Sequence, residues 1–193
     1  MREQEKSTNI NLDRLGIVIV DMQKGFVKPI DKNEAETMIS AQEEVLEVCV
    51  GEDYPVVTLE YRGFGKGYTI PRLRNITERV PRHRLFGKTQ ADGYSDELDS
   101  QLKVWGIDTL CFIGIDAAIC VWDTAESAIE KGKQIMTARQ LIAAQTKEKI
   151  GFTESLDWYK TNGTYFDDHT DLLSLMLGRP QFEDKFSLQL IDG

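Results

Sequence analysis

Short unbroken apolar runs alternate along this chain with longer stretches in which apolar residues recur at helical spacing. Leu15-Gly-Ile-Val-Ile-Val20 and residues 109–113 are β-branched or aliphatic runs without polar alternation, the pattern of strands buried on both faces. Tyr54-Pro-Val-Val-Thr-Leu-Glu-Tyr61 and Gln134-Ile-Met-Thr-Ala138 read as two more strands, with Pro55 confined to the first positions of its own. Arg84-Leu-Phe86 and Thr164-Tyr-Phe166 are short strand candidates, the second at an edge. Residues 33–50 carry Ala35, Met38, Ile39, Val45, Leu46 and Cys49 at helical spacing, opening near Asp31 or Asn33 and stopping at Gly51. Further helices are expected from Ser95 to Gly106, from Cys120 to Gly132, over 147–158, and over 169–177, the last closed by Gly178-Arg-Pro180. Strands and helices alternating at this rhythm predict a mainly parallel sheet with helices on both faces, an α/β, Rossmann-like three-layer α/β/α sandwich.

Between Arg62 and Lys88 no period is sustained, and Gly63-Phe-Gly-Lys-Gly67 is flexible enough for a lid or an inserted arm. This segment also departs from the rest in charge. It holds Arg62, Lys66, Arg72, Arg74, Arg79, Arg82, Arg84 and Lys88 against Glu78 alone, in a chain of net charge −9. Such a segment beside a crevice offers Arg62, Arg72 or Arg84 as a clamp for a substrate carboxylate. The competing expectation is that the arginines are solvated or pair with a neighbouring subunit.

At 193 residues the length suits one domain over 1–193, with 1–12 as a polar arm and 181–193, including Phe182 and Phe186, as a tail. The overall acidity disfavours nucleic acid and anionic membrane as partners, and no apolar run is long enough for a bilayer. The first residues lack the apolar core of a signal peptide. Three cysteines without framework spacing argue against a disulfide scaffold and for a reducing, cytoplasmic setting.

Open α/β sheets place their ligand crevice beyond the carboxyl ends of the strands. Three polar residues stand there: Asp21 after the first strand, Lys88 after the Arg84 strand, and Cys120 at the start of a helix. The first turn of a helix offers unpaired N–H groups and the positive end of the dipole, which favour a thiolate. A cysteine hydrolase needs a base to take the thiol proton and a cation to hold the thiolate; Asp21 and Lys88 are candidates for these roles. Phe26 and Tyr61, each near a strand's carboxyl end, are candidates for the pocket wall, and Trp122 for either the wall or the core.

These residues lie in motifs that resemble a known group. Gly16-Ile-Val-Ile-Val-Asp21-Met-Gln-Lys-Gly-Phe26, Phe86-Gly-Lys88 and Gly114-Ile-Asp-Ala-Ala-Ile-Cys120-Val121, followed by Thr124-Ala125 and Ala128, resemble the isochorismatase-like cysteine hydrolase superfamily. The resemblance implies a six-stranded parallel sheet, Asp21, Lys88 and Cys120 as a triad, and a homo-oligomer. It also implies a cis peptide between Ile115 and Asp116, with the N–H groups of Asp116 and Cys120 as an oxyanion hole. Nicotinamidases of this group bind a divalent metal through an Asp-x-His pair and a further histidine. Here the matching stretch is Glu60-Tyr-Arg62, and the histidines are His83 and His169. Arginine cannot ligate a metal, so neither a metal, a cofactor nor nicotinamidase activity is expected.

The resemblance therefore implies hydrolysis of a C–N bond in a small amide, carbamoyl or ureido compound through a thioester on Cys120, and the basic segment adds an anionic substrate as a candidate. The alternative is a catalytically silent member of the fold that serves as a binding or scaffold protein. Nucleotide binding fits less well: Arg82-His-Arg-Leu-Phe-Gly-Lys88-Thr89 holds the second half of a P-loop, but Arg82 replaces its first glycine. Asp167, Asp168 and His169 read better as a helix cap than as metal ligands.

Overall fold

The computed structural model describes residues 10–145 and 149–178. The expected arm falls within the described part only from Ile10 onward, where Asn11 caps a 3-10 turn over Leu12–Arg14. The 181–193 tail with Phe182 and Phe186 lies outside the described residues.

The first apolar run forms β1 (Leu15–Val20), all of it buried. A single helical turn, α1 (Lys24–Val27), follows where a loop is expected. Next come α2 (Lys32–Glu52), β2 (Val56–Tyr61), α3 (Pro71–Thr77) and β3 (His83–Lys88). Then follow α4 (Asp96–Trp105), β4 (Thr109–Ile115), α5 (Cys120–Glu130), β5 (Gln134–Ala138) and the two-residue β6 (Ile142–Ala143). The described chain closes with α6 (Lys149–Asn162), β7 (Thr164–Phe166) and α7 (His169–Met176).

Six strands run parallel in the order β3-β2-β1-β4-β5-β7, and β6 adds a seventh by pairing with the end of β4. No helix among the described residues is long and apolar enough to cross a membrane.

Both faces of the sheet are covered, which is why its strands lack alternation. Ile17, Ile19, Val56, Cys111 and Ile113 pack on one side against Met38, Val45 and Leu46 of α2, Leu73 and Ile76 of α3, and Leu172 and Met176 of α7. Val18, Val20, Val57, Leu59 and Phe112 pack on the other against Leu98 and Leu102 of α4, Val121, Ala125 and Ala128 of α5, and Phe152 and Tyr159 of α6. Each fully buried aliphatic side chain of these layers contributes about 1.5–3 kcal/mol relative to exposure. Cys49 and Cys111 are fully buried in the first layer.

Helix starts follow local chemistry. The Asp31 carboxylate accepts from the N–H groups of Asn33 and Glu34 at the head of α2, and Ser95 Oγ accepts from Leu98 N–H at the head of α4. The α2 helix runs past the expected stop at Gly51 and ends at Asp53, which adopts φ 55°.

Two expectations for residues 62–88 need correction. Pro71 opens α3 at its first turn, a position that wastes no N–H, and the helix buries Leu73, Ile76 and Thr77. The glycine-rich stretch before it is no loose arm: Gly25 N–H donates to Lys66 C=O, Ile70 N–H to Met22 C=O, and Gln23 Nε2 to Gly67 C=O at 2.5 Å. Thr69 also donates through its N–H and its hydroxyl to the buried carboxylate of Glu60, both at 2.8 Å.

The basic residues are largely spent within the chain itself. Arg72 forks onto Glu36 and Glu43 of α2, Arg74 pairs with Glu78, Arg79 with Glu47, and Arg82 with Asp53. Arg72 is thus held against α2 rather than offered to a crevice.

The strand order reverses direction between β1 and β4, so the crevice is expected at the carboxyl ends of that pair. Gly114 lets the two strands meet there. It pairs with Val20 at φ +136°, and a Cβ on it would stand 2.1 Å from the Val20 carbonyl oxygen. Gly114→Ala should therefore cost about 3 kcal/mol or more, from backbone strain and overlap together, read as a lower urea midpoint at unchanged slope.

Candidate active site

Asp21 follows the last residue of β1 and turns out of the strand at φ 51°, a left-handed conformation that aspartate tolerates better than most residues. Its N–H donates to Leu59 C=O at 3.0 Å, and its own carbonyl accepts from Gln23 N–H at 2.7 Å. The carboxylate is fully buried. Oδ1 accepts from Tyr61 N–H at 3.1 Å, and Oδ2 lies 2.7 Å from Lys88 Nζ.

Lys88 is the last residue of β3 and is buried with its partner. Its ammonium also donates to the carbonyls of Gln90 and Ala91, at 3.0 and 2.8 Å. Three donors thus meet three acceptors, and the cation is fixed in place.

Cys120 begins α5 after a tight turn in which the Ile115–Asp116 peptide is cis, as the resemblance implies. Asp116 organises that turn. Its carboxylate accepts from Ala118 and Gln145 N–H groups, and its carbonyl from those of Ile119 and Val121. The Cys120 thiol lies close enough to the Asp21 carboxylate, the Lys88 ammonium and the Asp116 N–H for all three to act on its ionisation. Residues 21, 88 and 120, far apart in sequence, thus converge on one point.

The electrostatics differ from the expectation of a standing thiolate. Burial pushes the Cys120 thiol up to about 11, the Lys88 ammonium pulls it down, and the Asp21 charge and hydrogen bond push it up again. Burial likewise raises the Asp21 carboxyl above 3.8, against the opposing pull of Lys88. The resting pair is a thiol beside a carboxylate, which is a nucleophile with a base alongside it.

The pocket candidates separate. The Phe26 ring meets Tyr61 edge-on at 6.1 Å, Lys66 Nζ stands 4.1 Å over Phe26, and Lys88 Nζ is 5.8 Å from the Tyr61 ring. These residues form one wall running out from Lys88. Trp122, two residues past the cysteine and so on another side of the helix, stacks on Trp158 at 4.9 Å. Trp158 in turn meets Tyr159, whose hydroxyl donates to Ala117 C=O, so Trp122 anchors α5 to α6. The Arg62 side chain crosses Gly87, where a Cβ would lie 2.1 Å from its Nε. Gly87 and Lys88 alternate on β3, which puts this arginine on the sheet face opposite the lysine.

The stretch that matches the nicotinamidase metal motif, and both histidines, are engaged within the chain. Glu60 is engaged by Thr69, His83 Nε2 is within hydrogen-bond distance of Thr58 Oγ1 at 2.9 Å, and His169 faces Glu44. Asp168 accepts from Thr170 N–H at the head of α7, as a cap. Among the described residues no three His, Cys, Asp or Glu side chains converge.

Two concavities lie elsewhere, one of about 480 Å³ at the amino ends of β4, β5 and β7 and one of about 840 Å³ between α2, α3 and α7. Neither brings together a nucleophile, a base and a cation that holds them.

An isochorismatase domain model matches residues 16–153. The chain belongs to the isochorismatase domain family. Solved structures similar to this family member include MAR1 ribonuclease from Caenorhabditis elegans, with TM-score 0.77 and 17% identity over 88% of this chain and 84% of that one. N-carbamoylsarcosine amidase from Thermoplasma acidophilum has TM-score 0.68 and 22% identity over 80% and 98%. YcaC from Escherichia coli, described as an octameric hydrolase of unknown specificity, has TM-score 0.68 and 16% identity over 81% and 76%. At these identities the likeness is one of fold. No protein of curated function matches the chain.

Sequence reasoning missed the residues that hold the three in register. Gln23, fully buried two positions after Asp21, accepts from Tyr61 N–H at 2.8 Å and donates to Tyr61 C=O at 3.0 Å. Thr124, one turn past Cys120, is equally buried. A polar residue inside an otherwise apolar helix face was the available signal for Thr124.

Proposed function

We propose that this family member is a cysteine hydrolase that cleaves the C–N bond of a small amide, carbamoyl or ureido compound. The observation that carries this is a fully buried Asp21 carboxylate, ion-paired with Lys88 at 2.7 Å and close enough to the Cys120 thiol to act on its ionisation. As the substrate carbonyl arrives, Asp21 takes the thiol proton while sulfur bonds to the carbonyl carbon. The Asp116 N–H joins the Cys120 N–H in holding the developing oxyanion. Asp21 then gives its proton to the leaving nitrogen, the C–N bond breaks, and a thioester remains. A water enters, Asp21 removes its proton as the water oxygen bonds to the carbonyl carbon, the C–S bond breaks to release the acid, and Asp21 returns the proton to the sulfur.

Charge supports an anionic substrate. With Arg72, Arg74, Arg79 and Arg82 paired inside the chain, Lys66 is the cation left over the Phe26 and Tyr61 wall, with no carboxylate within ion-pair distance among the described residues. Lys66→Glu should raise KM for carboxylate-bearing amides about tenfold, leaving kcat and neutral amides nearly unchanged. Steady-state kinetics on matched acid and neutral substrates check this.

Ammonia release from a panel of small amides, carbamoyl compounds and ureido acids, with Cys120→Ala as the blank, tests the hydrolase assignment. Absence of turnover across the panel together with an unreactive Cys120 favours the silent binding protein instead. The expected assembly is a homo-oligomer in a reducing cytoplasm, a setting that suits the free thiols of Cys49, Cys111 and Cys120.

A further inference from the structure

The loop between β3 and α4 supplies the Gln90 and Ala91 carbonyls that hold the Lys88 ammonium. The same loop is fastened to α5 at two points. Gly93 N–H donates to Thr124 Oγ1 at 3.0 Å, and Ser127 Oγ donates to Asp92 Oδ2 at 2.7 Å. The Thr124 hydroxyl in turn donates to the Cys120 carbonyl at 2.6 Å. A threonine inside a helix often donates to the carbonyl one turn back. Here the oxygen also accepts from another element, so amide, hydroxyl and carbonyl form a line with fixed direction.

We infer that Thr124 is a positioning residue, whose hydroxyl sets the separation of the Lys88 ammonium from the Cys120 sulfur by tying the loop that cradles the one to the turn that carries the other. The inference rests on the hydrolase assignment for the roles of Lys88 and Cys120. There is no slack in the tie. A Cβ on Gly93 would stand 2.7 Å from Leu59 Cδ1 and 2.9 Å from Lys88 Cδ, so the loop lies directly on the lysine stem. Were the loop to lift, the ammonium would either follow its two carbonyls or lose them. In both cases its pull on the sulfur weakens.

Thr124→Val keeps the side-chain shape and removes only the hydroxyl. Alkylation of Cys120 by iodoacetamide, followed by mass spectrometry from pH 7 to 10, reads the thiol without any substrate. The buried Cys49 and Cys111 serve as internal controls. Thr124→Val should slow labelling about tenfold and move its pH profile up by about one unit, the effect of one lost hydrogen bond passed to the thiol. Thr124→Ser should restore both. A folded Thr124→Val protein with the wild-type profile, or a serine variant as slow as the valine one, overturns the inference.

Should the valine variant not fold, Ser127→Ala loosens the same loop from its half-buried end, and labelling about threefold slower is expected; an unchanged rate there also overturns it. Lys88→Met separates the two levels. If it slows labelling while the loop variants do not, only the role of Thr124 fails. If it too leaves labelling unchanged, the roles given to Lys88 and Cys120 fail with it.

Discussion

Cys120→Ala should lower kcat by about 10⁴-fold or more on whichever amide or ureide the native chain hydrolyses, the scale on which nucleophiles of covalent hydrolases are lost. Cys120→Ser should fare little better. A hydroxyl is far less acidic than a thiol, and the Asp21 carboxylate is matched to the easier proton. Neither change should disturb the fold, because Cys120 is only partly buried at the first position of α5 and packs at the margin of its core layer rather than inside it. Melting temperatures within a few degrees of the native chain are expected. Cys49→Ala and Cys111→Ala should behave in the opposite way. Both sulfurs lie fully buried among aliphatic side chains, and burial drives both thiols well up, Cys111 to about 12. Their loss should cost stability by about 1–2 kcal/mol while each folded molecule keeps its activity. Residual turnover above about one per cent in Cys120→Ala, with no contaminating enzyme, would remove the covalent mechanism.

The contrast between these cysteines shows which parts of the site were written locally. Asp21 and Lys88 stand at the carboxyl ends of expected strands and Cys120 at the head of an expected helix, all boundaries that the pattern marks. Their convergence follows from parallel topology, which alternation of strands and helices already implied. The acidity of Cys120 could not be read in the same way. Helix position argues for a thiolate, but burial and a carboxylate brought from residue 21 outweigh it, and both depend on tertiary packing.

The basic stretch misled for a related reason. Its counter-charges sit on α2 and its flanks, at Glu36, Glu43, Glu47 and Asp53, too far back in the chain for local patterning to pair them. Short elements escaped because they carry too few residues to show a period; α3 has seven and β6 two. Trp122 was left between wall and core because only the position of Trp158 decides it.

Asp21→Asn should separate thiol acidity from catalysis. Asparagine shares the tolerance for the left-handed backbone at this position, so the turn after β1 should survive. The Asp21 charge and hydrogen bond both push the Cys120 thiol up, so removing them leaves the Lys88 ammonium to act alone. The thiol of the variant should therefore titrate below about 11 and alkylate faster than the native one at pH 8. Hydrolysis should nonetheless fall by about 10²–10⁴-fold, because no base remains to receive the proton, return it to the leaving nitrogen and activate the water.

In the native chain the same carboxyl sets the acid limb of kcat/KM. Protonated Asp21 cannot accept the thiol proton, so activity should fall with pH through a value above the ordinary 3.8. Lys88→Met removes the cation that opposes this rise, and should move the limb to still higher pH while making the thiol less reactive. The two variants thus shift labelling in opposite directions and hydrolysis in the same one. An Asp21→Asn protein that hydrolyses at the native rate would mean that the carboxylate is not needed to move the proton, and the assignment of Asp21 as the base of Cys120 would fail.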